Sequence, residues 1–172
     1  MVDLGARWAA RRTVLIVGEG LHEERFLQHV KALYVSRGCG LTMTIKNARG
    51  KGARHVVDWT ARQAANSAYD AVAALLDTDT DWSPAVAEIA RKKRIKVLKS
   101  EPCLEALLLR VLGQSPAGDR DSLKPQLGTL IGDPADIRSY AAWFTIDIHE
   151  ASRGREAAID GLLALLPSAA RN

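Results

Sequence analysis

The arrangement of apolar runs constrains this chain most. Residues V14-L15-I16-V17 form a short β-branched run that ends in G18-E19-G20, and charged sequence follows at once. A similar run recurs at 71–76, Ile95 to Leu98 reads as a fourth strand, and Leu41, Met43 and Ile45 alternate with threonines and Lys46. Short apolar runs without a polar face predict buried strands, and alternation predicts a half-exposed one. Between them, residues 22–37 place Phe26, Leu27, Val30, Leu33 and Tyr34 on one helical face, with Gly38-Cys39-Gly40 as the stop. Further helices are predicted over 54–67, from the Ser83-Pro84 start, and from Pro102 to Leu112. Strand and helix therefore alternate four times, which implies an α/β fold with a mostly parallel four-stranded sheet flanked by helices.

After Gly113 the pattern changes. Helices are expected over 123–131, 134–144 and 155–166. We divide the chain into an α/β core over 1–113 and a helical C-terminal extension over 114–172, packed on the same domain. A length of 172 residues suits one compact domain with a real core.

Cys39 and Cys103 are too few for a disulfide framework. The first dozen residues, read as an arm or lead-in, lack the order of a signal peptide. No apolar run reaches the roughly 18 residues that span a bilayer. The expectation is a reduced, cytoplasmic protein without a membrane partner.

The acids collect where the strands end. Glu19 follows the first strand. Asp77, Asp79 and Asp81 in L-L-D-T-D-T-D-W follow the third, and Glu101 in S-E-P-C-L-E follows the fourth, with Glu105 one helical turn on. The carboxyl ends of parallel strands lie along one edge, where ligand crevices form. Carboxylates gathered there repel one another unless protons or cations neutralise them. An all-oxygen set without histidine or thiol favours Mg²⁺ or Mn²⁺. Glu19 is therefore expected to face a metal, directly or through water.

Other readings weaken on inspection. D-T-D-T-D with Glu88 mimics a calcium loop, but Trp82 stands where that loop needs glycine, and Pro84 interrupts it. Asp81 has a second reading as a helix cap. R-G-K-G-A-R lacks the Lys-Ser or Lys-Thr of a P-loop. Cys103 reads as core rather than nucleophile. The four histidines show no metal-ligand spacing, and His149 is the one singled out for attention.

The net charge is +4, and the positive side chains cluster: Arg7, Arg11 and Arg12; Lys46, Arg49, Lys51 and Arg54; Arg91 to Arg94 with Lys96 and Lys99. Such clusters attract phosphate backbones, although solvated surface charge explains them equally well.

The quoted acids resemble the signature of a TOPRIM domain: a glutamate just after the first strand and an Asp-x-Asp after a later one, here Glu19, Asp77 and Asp79. More narrowly, Glu19, Gly20 and Glu23, then Asp77, Asp79 and Asp81, then Pro102, Cys103 and Glu105 resemble the RloB-like family, which is related to OLD-type nucleases. The resemblance covers residues 13–112. It departs at His22, where that family usually has threonine, and at Glu101, where it often has asparagine.

The resemblance implies a TOPRIM-like Rossmannoid fold and metal-dependent chemistry on phosphodiesters, in a setting of bacterial defence. The expected site has Glu19 as general acid or base and as metal ligand. Asp77 and Asp79 hold Mg²⁺ or Mn²⁺ and Asp81 stands nearby. Glu23 and Glu105 serve a second ion or orient water. Arg49, Lys51, Lys92, Lys93 and Arg94 are expected to position DNA or RNA. Any ATPase partner would be a separate chain. The rival expectations are a non-catalytic nucleic-acid or partner binding module with a retained metal site, and a small-molecule phosphohydrolase or nucleotidyl transferase.

Overall fold

A computed structural model describes residues 11–168. Four strands, β1 (Arg12–Gly18), β2 (Leu41–Asn47), β3 (Ala71–Asp77) and β4 (Ile95–Ser100), form one sheet in the order β2-β1-β3-β4. All three pairings are parallel, with Val14 opposite Met43 and Ala71, and Asp77 opposite Ser100. The fold is α/β and Rossmann-like, as the alternation requires. Of the lead-in, residues 1–10, Arg7 among them, lie outside the described residues, while Arg12 opens β1.

The two faces of the sheet are covered differently. α2 (Gly52–Ala64) and α3 (Pro84–Lys92) close one face, where Ala53, Val56, Val57, Val86 and Ala90 pack on Leu15, Val17, Ala74 and Leu76. α1 (Leu21–Tyr34) and α4 (Leu104–Val111) close the other, over Val14, Ile16, Met43 and Leu75. That second layer continues into α5 (Arg120–Ile131), a 3₁₀ turn at Ile137–Tyr140, α6 (Ile146–Ser152) and α7 (Ala157–Leu163). Leu123, Leu127, Tyr140, Phe144, Ile159 and Leu162 join the same buried cluster as β1, α1 and α4. The C-terminal helices thus complete the core of the α/β unit. α7 lies directly on β4: a Cβ at Gly161 would come within 2.7 Å of Leu98 Cδ2.

The helix expected over 134–144 is mostly turns. Asp133 and Asp136 accept hydrogen bonds from Ala135 N and Arg138 N, and such local bonds compete with the helical ladder. The helix begins later, at α6, where Thr145 Oγ1 accepts from Ile148 N.

His149 on α6 is buried among Phe26, Tyr34 and Phe144, with ring centroids about 6 Å apart, and neither ring nitrogen has a hydrogen-bond partner among the described residues. Burial, with nearby His29, pushes its pKa down to about 4. It serves as core, not as a ligand. His149→Phe is expected to raise stability at pH 6 by about 1–2 kcal/mol, because two desolvated polar atoms disappear at nearly constant shape. Chemical denaturation at pH 6 checks this.

Among the described residues no helix is long and apolar enough to cross a membrane.

Candidate functional site

The strand order reverses direction between β1 and β3, and in such sheets the crevice at the carboxyl ends of those two strands is the natural ligand site. Glu19 and Asp77 stand on its two sides. The Glu19 backbone N–H donates to Leu75 O at 3.0 Å, which extends β1 along β3 by one residue. Its side chain then crosses the crevice, and Oε2 accepts from the Asp77 backbone N–H at 2.9 Å. Glu19 is only 7% exposed and Asp77 is fully buried.

Local sequence explains this placement. A Cβ at Gly18 would meet Glu23 Cβ at 2.8 Å, so the glycine lets α1 begin hard against the end of β1. Glu23, also buried, turns back so that its Oε2 accepts from Gly20 N at 2.9 Å, half of a capping box. The N-A-R-G-K-G loop is tied to the same point, because Gly50 N donates to Glu19 O at 2.7 Å.

Asp77 is held from two sides. Oδ1 accepts from Leu104 N, at the start of α4, at 3.0 Å, and Oδ2 accepts from Arg120 Nη2 at 2.8 Å. The other arm of Arg120 lies 3.3–3.4 Å from the Asp79 carboxylate. Asp79 itself is fixed through its backbone N–H, which donates to Pro102 O. Glu105 is buried, with Oε1 3.4 Å from His22 Nδ1 and Oε2 without a hydrogen-bond partner among the described residues.

Burial first, then Glu23 and Glu19, push the Asp77 pKa up to about 8 despite Arg120. Burial also raises Glu19 and Glu23. For Glu105 burial acts upward, but the hydrogen bond with His22 and further bonds outweigh it and hold the carboxyl low; the same bond raises His22. The crevice therefore carries more acid than Arg120 and His22 neutralise.

Asp81 is engaged elsewhere. Its Oδ1 accepts from Ala53 N at 2.6 Å and its Oδ2 lies 3.3 Å from Arg54 N, so it caps α2 from across the chain. Gly52, at φ +84°, leaves room for that carboxylate. Asp81→Ala is expected to cost about 1 kcal/mol of stability, the worth of a cap, and to leave the response to Mn²⁺ unchanged. Thermal melts with and without Mn²⁺ check both. Cys103 is buried, and its thiol is pushed up to about 11 by burial.

The basic residues separate into two groups. Arg49 and Lys51 lie in the loop after β2, at the same sheet edge as the carboxylates, with positive φ at both. Lys92, Lys93 and Arg94 are exposed where α3 turns into Ile95, the other end of β4 from Ser100, which pairs with Asp77. A strand of that length puts them about 17 Å from the carboxylate edge. They do not lead into the crevice.

Arg120 is the site residue that sequence reading missed. It lies beyond Gly113, in D119-R120-D121, outside the alternating pattern and the acidic motifs of residues 13–112.

Fold and site together define a Rossmann-like α/β protein with buried acidic side chains at its β1/β3 switch point. Comparisons with protein-family models, with curated proteins and with solved structures find no match for this chain.

Among the described residues no three His, Cys, Asp or Glu side chains converge as a preformed metal cage. The geometry gives the reason: Arg120 sits between Asp77 and Asp79, and Asp81 faces α2. The donor chemistry still fits a hard cation. Glu19, Asp77, Asp79, Glu23 and Glu105 are all oxygen donors, and the unpartnered buried Oε2 of Glu105 is an atom that a cation or its water would satisfy.

Proposed function

We propose that this chain is a Mg²⁺- or Mn²⁺-dependent, TOPRIM-like nuclease acting on nucleic-acid phosphodiesters. One observation carries the reading: at the β1/β3 switch point the buried Glu19 carboxylate accepts from the backbone N–H of Asp77, whose own buried carboxyl is raised by burial and by Glu23 and Glu19. A fold gains nothing in stability from gathering such carboxylates, whose raised pKa values measure what they cost.

Asp77 and Asp79, with Glu19, would hold the ion, and Glu23 and Glu105 stand near enough in the fold to serve a second ion or its water. A bound ion would polarise the scissile phosphate and lower the pKa of water. The protein's own groups divide the remaining work. Glu19 keeps Oε2 on the Asp77 N–H, which fixes its orientation, and its raised pKa suits it to hold and release a proton. Leu104 N and Pro102 O keep the two aspartates in place. Arg49 and Lys51 border the crevice and suit the flanking phosphates. The resemblance to RloB-like proteins adds bacterial defence as the setting and a separate ATPase chain as a partner.

The experiment is cleavage of mixed DNA and RNA substrates with and without Mn²⁺, beside Glu19→Gln. Activity on mononucleotides but not polymers would redirect the reading to a phosphohydrolase. Arg120 seated between the aspartates favours the second reading, a binding module whose acidic site is closed by an ion pair. That reading predicts binding without cleavage and without a metal effect.

On this reading the loop after β2, at the carboxylate edge, is the surface proposed for nucleic acid. Arg49→Gln with Lys51→Gln is expected to weaken oligonucleotide binding about tenfold and to lower the slope of affinity against salt by about 2. Gln at Lys92, Lys93 and Arg94 is expected to leave cleavage unchanged. Fluorescence titration at two salt concentrations and a cleavage time course check the pair.

A further inference from the structure

We propose that Arg120 is an internal cation which a divalent ion displaces, and that its released guanidinium then binds a substrate phosphate at the crevice; this rests on the metal-dependent reading above. Both oxygens of Asp77 are already engaged. Oδ1 is committed to Leu104 N, and Oδ2 is the atom that Arg120 holds at 2.8 Å. Arginine keeps its charge at every accessible pH. A metal ion and the guanidinium therefore compete for one atom, and they repel each other once both are close.

The burial gradient shows which partner can leave. The side chain of Asp77 is 0% exposed and that of Asp79 22%, whereas that of Arg120 is 42% exposed. The arginine reaches in from solvent and can withdraw without disturbing the core. Its helix does not depend on the contact. α5 is anchored by Leu123, Leu127 and Ile131 on its apolar side, and its start is capped by Asp119, which accepts from Ser122 N at 3.0 Å. A displaced Arg120 therefore stays tethered at the rim. There it faces the position a phosphate would take beside the ion, and its planar fork matches phosphate oxygens as well as it matches two carboxylates.

The test uses Mn²⁺ alone and a short single-stranded oligonucleotide, on the full chain. Calorimetric Mn²⁺ titration is run on wild type, Arg120→Gln and Arg120→Lys. Arg120→Gln is expected to bind Mn²⁺ roughly tenfold more tightly than wild type, the size of an ordinary coupling between two sites, with Arg120→Lys between them. In wild type, phenylglyoxal modification of Arg120, read by peptide mass spectrometry, is expected to rise with Mn²⁺ and fall again when oligonucleotide is added. The footprint needs no variant, so it decides the matter even if Arg120→Gln does not fold. Equal Mn²⁺ affinity in wild type and variant, with an unchanged footprint, would overturn the displacement and leave the metal-dependent reading standing. Absence of Mn²⁺ binding in all three proteins would overturn both.

Discussion

Glu19→Gln is expected to lower Mn²⁺-dependent cleavage by roughly 10²–10⁴-fold, the usual cost of losing a positioned acid or base. The fold should survive, with stability within about 1 kcal/mol of wild type. The amide oxygen of glutamine can still accept the Asp77 N–H bond that Glu19 Oε2 accepts at 2.9 Å. What it loses is the negative charge and the titrating proton. Single-turnover cleavage of a labelled oligonucleotide, beside thermal melts of both proteins, separates the chemical effect from a structural one. A variant as active as wild type would remove Glu19 from the chemistry.

A second large effect concerns pH. Without divalent ions, the protein is expected to lose stability as pH rises from about 6.5 to 8, by about 1 kcal/mol per pH unit, or a few degrees in Tm. The Asp77 carboxyl ionises near its ordinary value of 3.8 when unfolded and at about 8 when folded. Between those values the folded state binds more protons, so raising the pH favours unfolding. Glu19 and Glu23, also raised, act in the same sense. His22, raised by Glu105, gives stability at low pH that is lost as pH rises through its folded pKa, again the same direction. His149 and His29 oppose this only at lower pH: held neutral by burial, they make stability rise with pH up to the ordinary histidine value of 6.5. Above 6.5 the raised carboxyls and His22 all act in the same direction. Mn²⁺ should flatten the slope by favouring the ionised forms, and Asp77→Asn should flatten it by removing the proton. Melts at pH 6.5, 7.2 and 8.0 in EDTA and in Mn²⁺ give the comparison; a stability that rises with pH in EDTA would show that the carboxylates are not held protonated.

How much of this was readable beforehand depends on how local each feature is. The expected strands at 13–17, 71–76 and 95–98 fall inside β1, β3 and β4; the central strands β1 and β3 are apolar on both sides and carry their own signal, whereas the edge strand β4 exposes Lys96 and Lys99. Glu19 and Asp77 are legible for the same reason: each sits within two residues of the end of such a run. Asp81 was harder, because the N–H groups it caps are Ala53 and Arg54, far upstream. Arg120 was invisible, since α5 brings it to the crevice from beyond the repeating unit. The misplacement of Lys92, Lys93 and Arg94 had a different cause. In an alternating parallel fold, each helix-to-strand turn lies at the edge opposite the strand-to-helix turns, and Arg94 directly precedes β4. That inference was available from order alone.

The most direct test of the account is calorimetric titration of the wild-type chain and of Asp77→Asn with Mn²⁺ at pH 7.5. The account predicts saturable binding by the wild type and its loss in Asp77→Asn, which keeps an acceptor for Leu104 N but offers no charge to a cation. No binding by the wild type, or binding that Asp77→Asn leaves unchanged, would contradict a metal site at the β1/β3 crevice.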